Sequence, residues 1–223
     1  MKLYSYFRSS AAYRMRIALN LKGLAYEYAP IHLLRDGGQQ LNPDGIVPTF
    51  IDGDNVLTQS LAIIEYLEET HPEPPLLPGT PLDRTFVRSV ALQIVCEIHP
   101  VDNLRVLMKY LKHTLKVGDE AKDAWYRHWL ESGFESLEKR LANDSRVGKL
   151  CFDDTPTLAD LCLVPQVFNA QRFNLDMSRY PTIERIANHA GQIDAFARAA
   201  PGQQPDAERR QLFFYPAPGL AQV

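Results

Sequence analysis

KLYSYFRSSAAYRMRIALNLKG, residues Lys2–Gly23, reads as a strand handing over to a helix. Lys2–Phe7 is a short apolar run of strand character. From Ala11 to Lys22, apolar residues recur at helical spacing (Ala11, Met15, Ala18, Leu19). Gly23 follows where a helix stop favours a left-handed backbone. Arg8, Ser9 and Ser10 crowd the junction, and Arg14 and Arg16 follow within the helix. On their own, Ser9 and Ser10 are candidate helix caps, because the first turn of a helix leaves amides without acceptors.

The pattern continues outward from this unit. Ala25–Leu33 alternates enough to be a strand. Pro48–Ile51 and Val56–Thr58 flank Asp52-Gly53-Asp54-Asn55, a tight hairpin turn. Ser60–Thr70 is a helix with Leu61, Ile64 and Leu67 on its apolar side, Glu65 and Glu69 toward water, and Pro72 as its stop. A right-handed crossover makes the first two strands parallel, and the hairpin extends the sheet antiparallel. That is the layout of a thioredoxin-like α/β domain, expected over residues 1–80.

EPPLLPGTP, Glu73–Pro81, reads as a linker. Beyond it an all-helical domain is expected over 81–206, with helices at Asp83–Leu111, Glu120–Leu141, Thr157–Gln171 and Thr182–Ala200. Pro100 should kink or break the first of these. TPTLAD offers Thr157 as N-cap with Asp160 three residues on, a short-armed capping box. Its reading is structural, and a cap of this kind is worth about 1 kcal/mol. The tail, 207–223, is expected to be a mobile extension.

Composition narrows the function. A net charge of −3 and 45% hydrophobic residues describe an ordinary globular protein and argue against a general nucleic-acid binder. No apolar run approaches the roughly 20 residues that span a bilayer, and the N-terminus lacks a secretory core, so no membrane association is expected. Cys96, Cys151 and Cys162 form no CxxC pair and read as reduced thiols of a cytoplasmic protein. No metal-ligand spacing occurs, so no metal is expected. The absence of any cysteine before residue 96 disfavours a thiol oxidoreductase.

Several short words, taken in order, identify a family. RSSAAYRMRIAL, DGGQQ, VPTF, QSLAIIEYLEE and TLADLCLVPQVFNAQRF resemble the zeta-class glutathione transferases, which include maleylpyruvate and maleylacetoacetate isomerases. The resemblance runs from about residue 2 to 206. It implies a glutathione transferase fold, an α/β N-terminal thioredoxin-like domain plus an all-α C-terminal domain, and a homodimer. Three departures stand out. Ala11 occupies the position of the family's cysteine, the segment between DGGQQ and LNP is shorter than usual, and the tail runs past the family's usual end.

The resemblance also gives the residues roles. Ser60 opens a helix after Gln59; by spacing it is a cap, and the amides around it suit a carboxylate. The family places the γ-glutamyl carboxylate of glutathione there. Pro48 biases Val47 to an extended backbone, and in the family this proline is cis and the preceding backbone pairs with the cysteinyl part of glutathione. Gln40 is implied to reach the glutathione backbone. Cofactor contacts also map onto His99, Asn103, Leu104 and Arg105; helical spacing puts His99 and Asn103 on one face. Ser9, with Ser10 beside it, is expected to stabilise a thiolate. Arg8 and Arg172 are the expected clamps for a dicarboxylate substrate. The implied activity is glutathione-dependent cis–trans isomerisation of maleylpyruvate to fumarylpyruvate in aromatic (gentisate) catabolism. The alternatives are a maleylacetoacetate isomerase, a general zeta-class transferase and a non-catalytic interaction protein of the same fold.

Overall fold

The computed structural model describes residues 1–31 and 42–207. Four short strands, β1 (Lys2–Ser5), β2 (Glu27–Pro30), β3 (Thr49–Asp52) and β4 (Asn55–Thr58), form one sheet in the order β2-β1-β3-β4. β1 and β2 are parallel, while β1–β3 and β3–β4 are antiparallel, so the mixed sheet expected from the crossover and the hairpin is present. Helix α1 (Ser10–Leu21) makes the crossover and α2 (Ser60–Thr70) follows the hairpin. The hairpin turns on Gly53, which takes a φ of 57°, the left-handed region a tight two-residue loop needs.

Helix α1 is more deeply buried than its apolar stripe suggests. It packs on α5 (Leu158–Arg172) and α7 (Asp194–Ala199) as well as beside α2. Even Arg14 and Arg16 are inside. Arg16 donates all three guanidinium nitrogens, Nε to the Ala199 carbonyl, Nη2 to the Phe7 carbonyl, and Nη1 to the Ser5 hydroxyl. A cation can be buried here because its donors meet fixed acceptors. The C-terminus of α1 closes as expected: Gly23 has φ 65° and its amide donates to the Asn20 carbonyl, while Leu24 donates to Leu19.

The proline-rich segment after α2 is pinned. The Glu68 carboxylate accepts from the Leu76 and Leu77 amides and from the buried Lys22 ammonium, which also reaches the His71 and Pro74 carbonyls. The helices beyond are α3 (Pro81–Leu92), α4 (Asp119–Asn143), α5, α6 (Pro181–Gly191) and α7. Two expected helices are broken. The span read as Asp83–Leu111 ends as α-helix at Leu92, runs through a π segment, Gln93–Ile98, and a 3-10 turn, His99–Val101, then restarts as a second π segment, Arg105–Thr114. The 3-10 turn falls on Pro100, where a break is expected because proline has no amide to continue the ladder. The span read as Thr182–Ala200 is two helices, α6 and α7, with Ile193 extended between them. Among the described residues no helix is long and apolar enough to cross a membrane.

Candidate active site

A cleft of about 310 Å³ opens between the sheet end of α1 and the helices. The residues singled out from the sequence line it: Arg8, Ser9, Ser10, Val47, Pro48, Gln59, Ser60, His99, Asn103, Leu104, Arg105 and Arg172. Gln40 lies outside the described residues. Positions spread over 165 residues of chain meet here because α1, α2, α5 and the break at Pro100 share one corner of the fold. A second cleft, about 510 Å³, lies beside the C-terminal end of α2 and α3; it holds none of these residues, and its walls carry Glu65, Glu68, Glu69, Glu73, Arg84 and Arg88.

Two helix starts face the cleft. Ser9 is the N-cap of α1, extended at φ −65°, ψ 118°, and its hydroxyl oxygen accepts from the Ala12 amide at 3.2 Å. The hydroxyl proton of Ser9 is left free to donate. The amides of Ser10 and Ala11 have no acceptor one turn back, so the positive end of α1 is presented to the cleft. At α2 the cap assignment changes. Gln59, not Ser60, is the N-cap, with no side-chain capping bond and a φ of 66°. A non-glycine residue in that region costs about 1–3 kcal/mol, and such strain gathers at functional sites. Ser60 is the first residue inside the helix, and its hydroxyl accepts from Nη1 of Arg14 at 3.2 Å. Between these starts the Val47–Pro48 peptide bond is cis, as the resemblance implies.

His99 and Asn103 do not share one helix face as expected, because no continuous helix joins them. His99 sits in the 3-10 turn, and Asn103 caps the segment after the break through Oδ1, which accepts from the Arg105 and Val106 amides at 2.9 and 3.2 Å. They meet at the cleft because both sides of the break border it. His99 is partly open to the cleft, yet burial, with the Arg14 and Arg105 guanidinium groups adding to it, pushes its pKa down to about 3, so the imidazole is neutral. Leu104 and Arg105 are exposed at the lip.

The two expected clamps are held in place by aromatic neighbours. Arg8 donates Nε and Nη2 to the Tyr6 hydroxyl at 3.2 and 2.9 Å and lies over the Tyr6 and Phe7 rings. Arg172, in the last turn of α5, donates Nη1 to Asn169 Oδ1 at 3.4 Å and lies over the Phe173 ring. Tyr126 stacks on that ring at 3.6 Å and 8°.

Sequence reasoning missed Tyr6, Arg14, Asp102, Tyr126 and Asn169. Arg14 carried a signal: a cation inside an otherwise apolar helix must find an acceptor or a counter-charge. Asp102 lay inside EIHPVDNLRVL beside the residues that were noticed. It is 5% exposed and neither carboxylate oxygen has a partner among the described residues. Burial pushes its pKa up to about 8. A carboxyl whose folded pKa lies above its unfolded value, about 4, contributes fully to stability below pH 4, and that contribution is lost as pH rises toward 8. Asp102→Asn is therefore expected to gain on the parent chain, by a few kcal/mol (order of magnitude) between pH 4 and 8. Urea unfolding at several pH values checks this; a difference that does not change with pH would show that Asp102 is already ionised in the fold.

The cleft thus presents four guanidinium groups (Arg8, Arg14, Arg105, Arg172), two helix starts, serine hydroxyls and a neutral histidine, and no thiol of its own. Such a site gathers anions and stabilises negative charge that develops during reaction.

Comparison with known proteins agrees with this chemistry. Residues 3–75 match the family model of the glutathione S-transferase N-terminal domain. The chain is 52% identical to a probable maleylacetoacetate isomerase of Vibrio cholerae serotype O1, over 92% of this chain and 97% of that one. It is 46% identical to a structure of a maleyl pyruvate isomerase in holo form, described as a bacterial glutathione S-transferase of the zeta class, with a TM-score of 0.89 over 93% of this chain and all of that one. A maleylacetoacetate isomerase from Methylobacterium extorquens AM1, solved with malonate and GSH bound, is 40% identical and superimposes with a TM-score of 0.89, also over 93% and 100%.

Proposed function

The chain belongs to the zeta-class glutathione transferases, among the maleylacetoacetate and maleylpyruvate isomerases, and from that premise we propose that it converts maleylpyruvate to fumarylpyruvate with glutathione as cofactor. One observation carries the reading. The cleft has everything needed to hold and activate a thiolate except a thiol: Ala11 stands at the start of α1, where Ser9 and the first-turn amides converge.

Glutathione fits the donor set. Its γ-glutamyl carboxylate suits the amides and hydroxyl at Gln59–Ser60, its cysteinyl backbone Val47 before cis-Pro48, and its sulfur the Ser9 hydroxyl, with Ser10 next to it. His99, Asn103, Leu104 and Arg105 close the opposite wall. Ser9 and the helix start of α1 favour the thiolate over the thiol. The thiolate adds to the cis double bond, and the electron pair moves into the conjugated carbonyl as an enolate. The former double bond is now single and rotates. The enolate collapses, the double bond re-forms as trans, and the thiolate leaves unchanged. Arg8 and Arg172 hold the two carboxylates while the bond turns, so the intermediate stays oriented for collapse. Fixed donors in a partly dry cleft stabilise the enolate oxygen.

Maleylpyruvate is one methylene shorter than maleylacetoacetate, which brings its second carboxylate nearer the bond that rotates. Arg105, a third cation beside the two clamps, supports the shorter acid. The enzyme is taken to work as a homodimer in the cytoplasm. The family resemblance supports the homodimer, and the lack of any CxxC pair among Cys96, Cys151 and Cys162 supports a reducing compartment.

The test is turnover of both acids with and without glutathione. Activity is expected only with glutathione, with the higher kcat/KM on maleylpyruvate. Full turnover without glutathione would sink the cofactor role, and a strong preference for the longer acid would reassign the substrate. No glutathione binding by calorimetry would point to a non-catalytic interaction protein.

A further inference from the structure

Arg14 is the least explained group in the molecule. Its side chain is buried, with 1% of the residue exposed, on α1 in the wall of the cleft. Nη1 donates to the Ser60 hydroxyl oxygen at 3.2 Å. Nε and Nη2 have no acceptor among the described residues, and no carboxylate among those residues pairs with it. Arg16, two residues further along α1 and equally buried, has all three nitrogens satisfied by backbone or hydroxyl oxygens. The groups around Arg14 do not supply a negative charge either. His99 is neutral, and the thiol of Cys162 is pushed up to about 11 by its burial. An uncompensated buried cation is costly, so among the described residues a charge of the opposite sign is missing from this place.

The place is the start of α2. Because Nη1 occupies a lone pair of Ser60 Oγ, the hydroxyl proton of Ser60 is left to donate into the cleft, beside the amides at the strained Gln59. Building on the glutathione reading above, we propose that Arg14 is a positioning residue for glutathione: it aims the Ser60 hydroxyl at the α-carboxylate of the γ-glutamyl group and supplies that carboxylate's buried counter-charge. Arg14 acts through Ser60 and through its field, without touching the ligand. The arrangement also makes the site selective for a carboxylate at this end, because an uncharged group would leave the cation unbalanced.

The experiment is a two-ligand comparison by calorimetry. Glutathione is titrated against γ-aminobutyryl-cysteinyl-glycine, which keeps the amine and lacks the α-carboxylate. The variants are Arg14→Met, close in length and uncharged, and Arg14→Lys, which keeps the charge and loses the fork. Arg14→Met is expected to weaken glutathione by about tenfold or more and to leave the decarboxylated ligand within about twofold. Arg14→Lys should fall between Arg14→Met and the parent for glutathione only. Equal weakening of both ligands would make Arg14 purely structural, and unchanged glutathione affinity would remove it from binding; either overturns the proposal. If Arg14→Met fails to fold, Arg14→Lys carries the same comparison, and a loss that does not discriminate between the ligands overturns it. A parent chain that binds neither ligand would instead overturn the functional reading on which the proposal rests.

Discussion

Arg172→Ala is expected to lower kcat/KM for the cis dicarboxylate by about a hundredfold or more, with glutathione affinity within about threefold of the parent. The guanidinium of Arg172 is preorganised. Asn169 accepts from it at 3.4 Å, Phe173 lies beneath it, and Tyr126 stacks on Phe173 so that this ring cannot turn away. A bidentate bond to a carboxylate therefore forms with little loss of side-chain freedom. Two charge-assisted hydrogen bonds of about 1.5 kcal/mol or more each account for the factor. Because the substrate pivots about a bond between its two anchors, losing one also frees the far end of the intermediate, and kcat should fall with the rise in KM. Steady-state kinetics at saturating glutathione, with calorimetry of glutathione alone, separates the effects. A loss below about fivefold would assign the far carboxylate to Arg105 or another group, and a collapse of glutathione binding would place Arg172 on the cofactor side.

Asp160→Ala is expected to cost about 3–5 kcal/mol of stability, enough to threaten folding. The cap expected from TPTLAD is present, but its surroundings raise the stakes. Asp160 is fully buried, and its carboxylate accepts three hydrogen bonds at 2.8 Å: from the Thr157 amide, the Thr157 hydroxyl and the Cys151 amide. Only the first of these is a capping-box bond. The third ties a separate loop to the start of α5, which packs on α1, α3 and α6. Alanine would leave three buried donors without acceptors, each costing about 1–3 kcal/mol. An exposed cap would lose only about 1 kcal/mol, because water replaces the carboxylate. Urea unfolding of the parent, Asp160→Ala and Asp160→Asn measures this; asparagine keeps one acceptor oxygen and should recover part of the loss. A cost near 1 kcal/mol for alanine would mean that water enters the site.

The contrast between Thr157 and Ser60 shows where local pattern suffices. Both read as caps from spacing alone. Thr157 is one, because Asp160 three residues on completes the box. Ser60 is not, because Gln59 adopts a φ of 66° and takes the cap position one residue earlier. Nothing in glutamine favours that conformation, so only the packing around Ser60 and Arg14 reveals it. Likewise, Pro100 announces a break, but not that the chain passes through π turns on either side and brings His99 and Asn103 to one wall by interruption instead of by helical repeat.

By itself the sequence determined the order of strands and helices, the hairpin at Gly53, the stop at Gly23, the capping box of α5 and, through Ala11, the lack of a resident thiol at the first helix start. These depend on periodicity, backbone preference and bonds reaching a few residues, all of which are local. The tertiary structure alone decided that, among the described residues, Arg14 is a buried cation without a counter-charge and Asp102 is buried with no partner, that His99 is neutral, and that Arg8 and Arg172 share one cleft. Those properties belong to through-space neighbours and to the exclusion of water, and a charge's cost or use is set by what surrounds it in three dimensions.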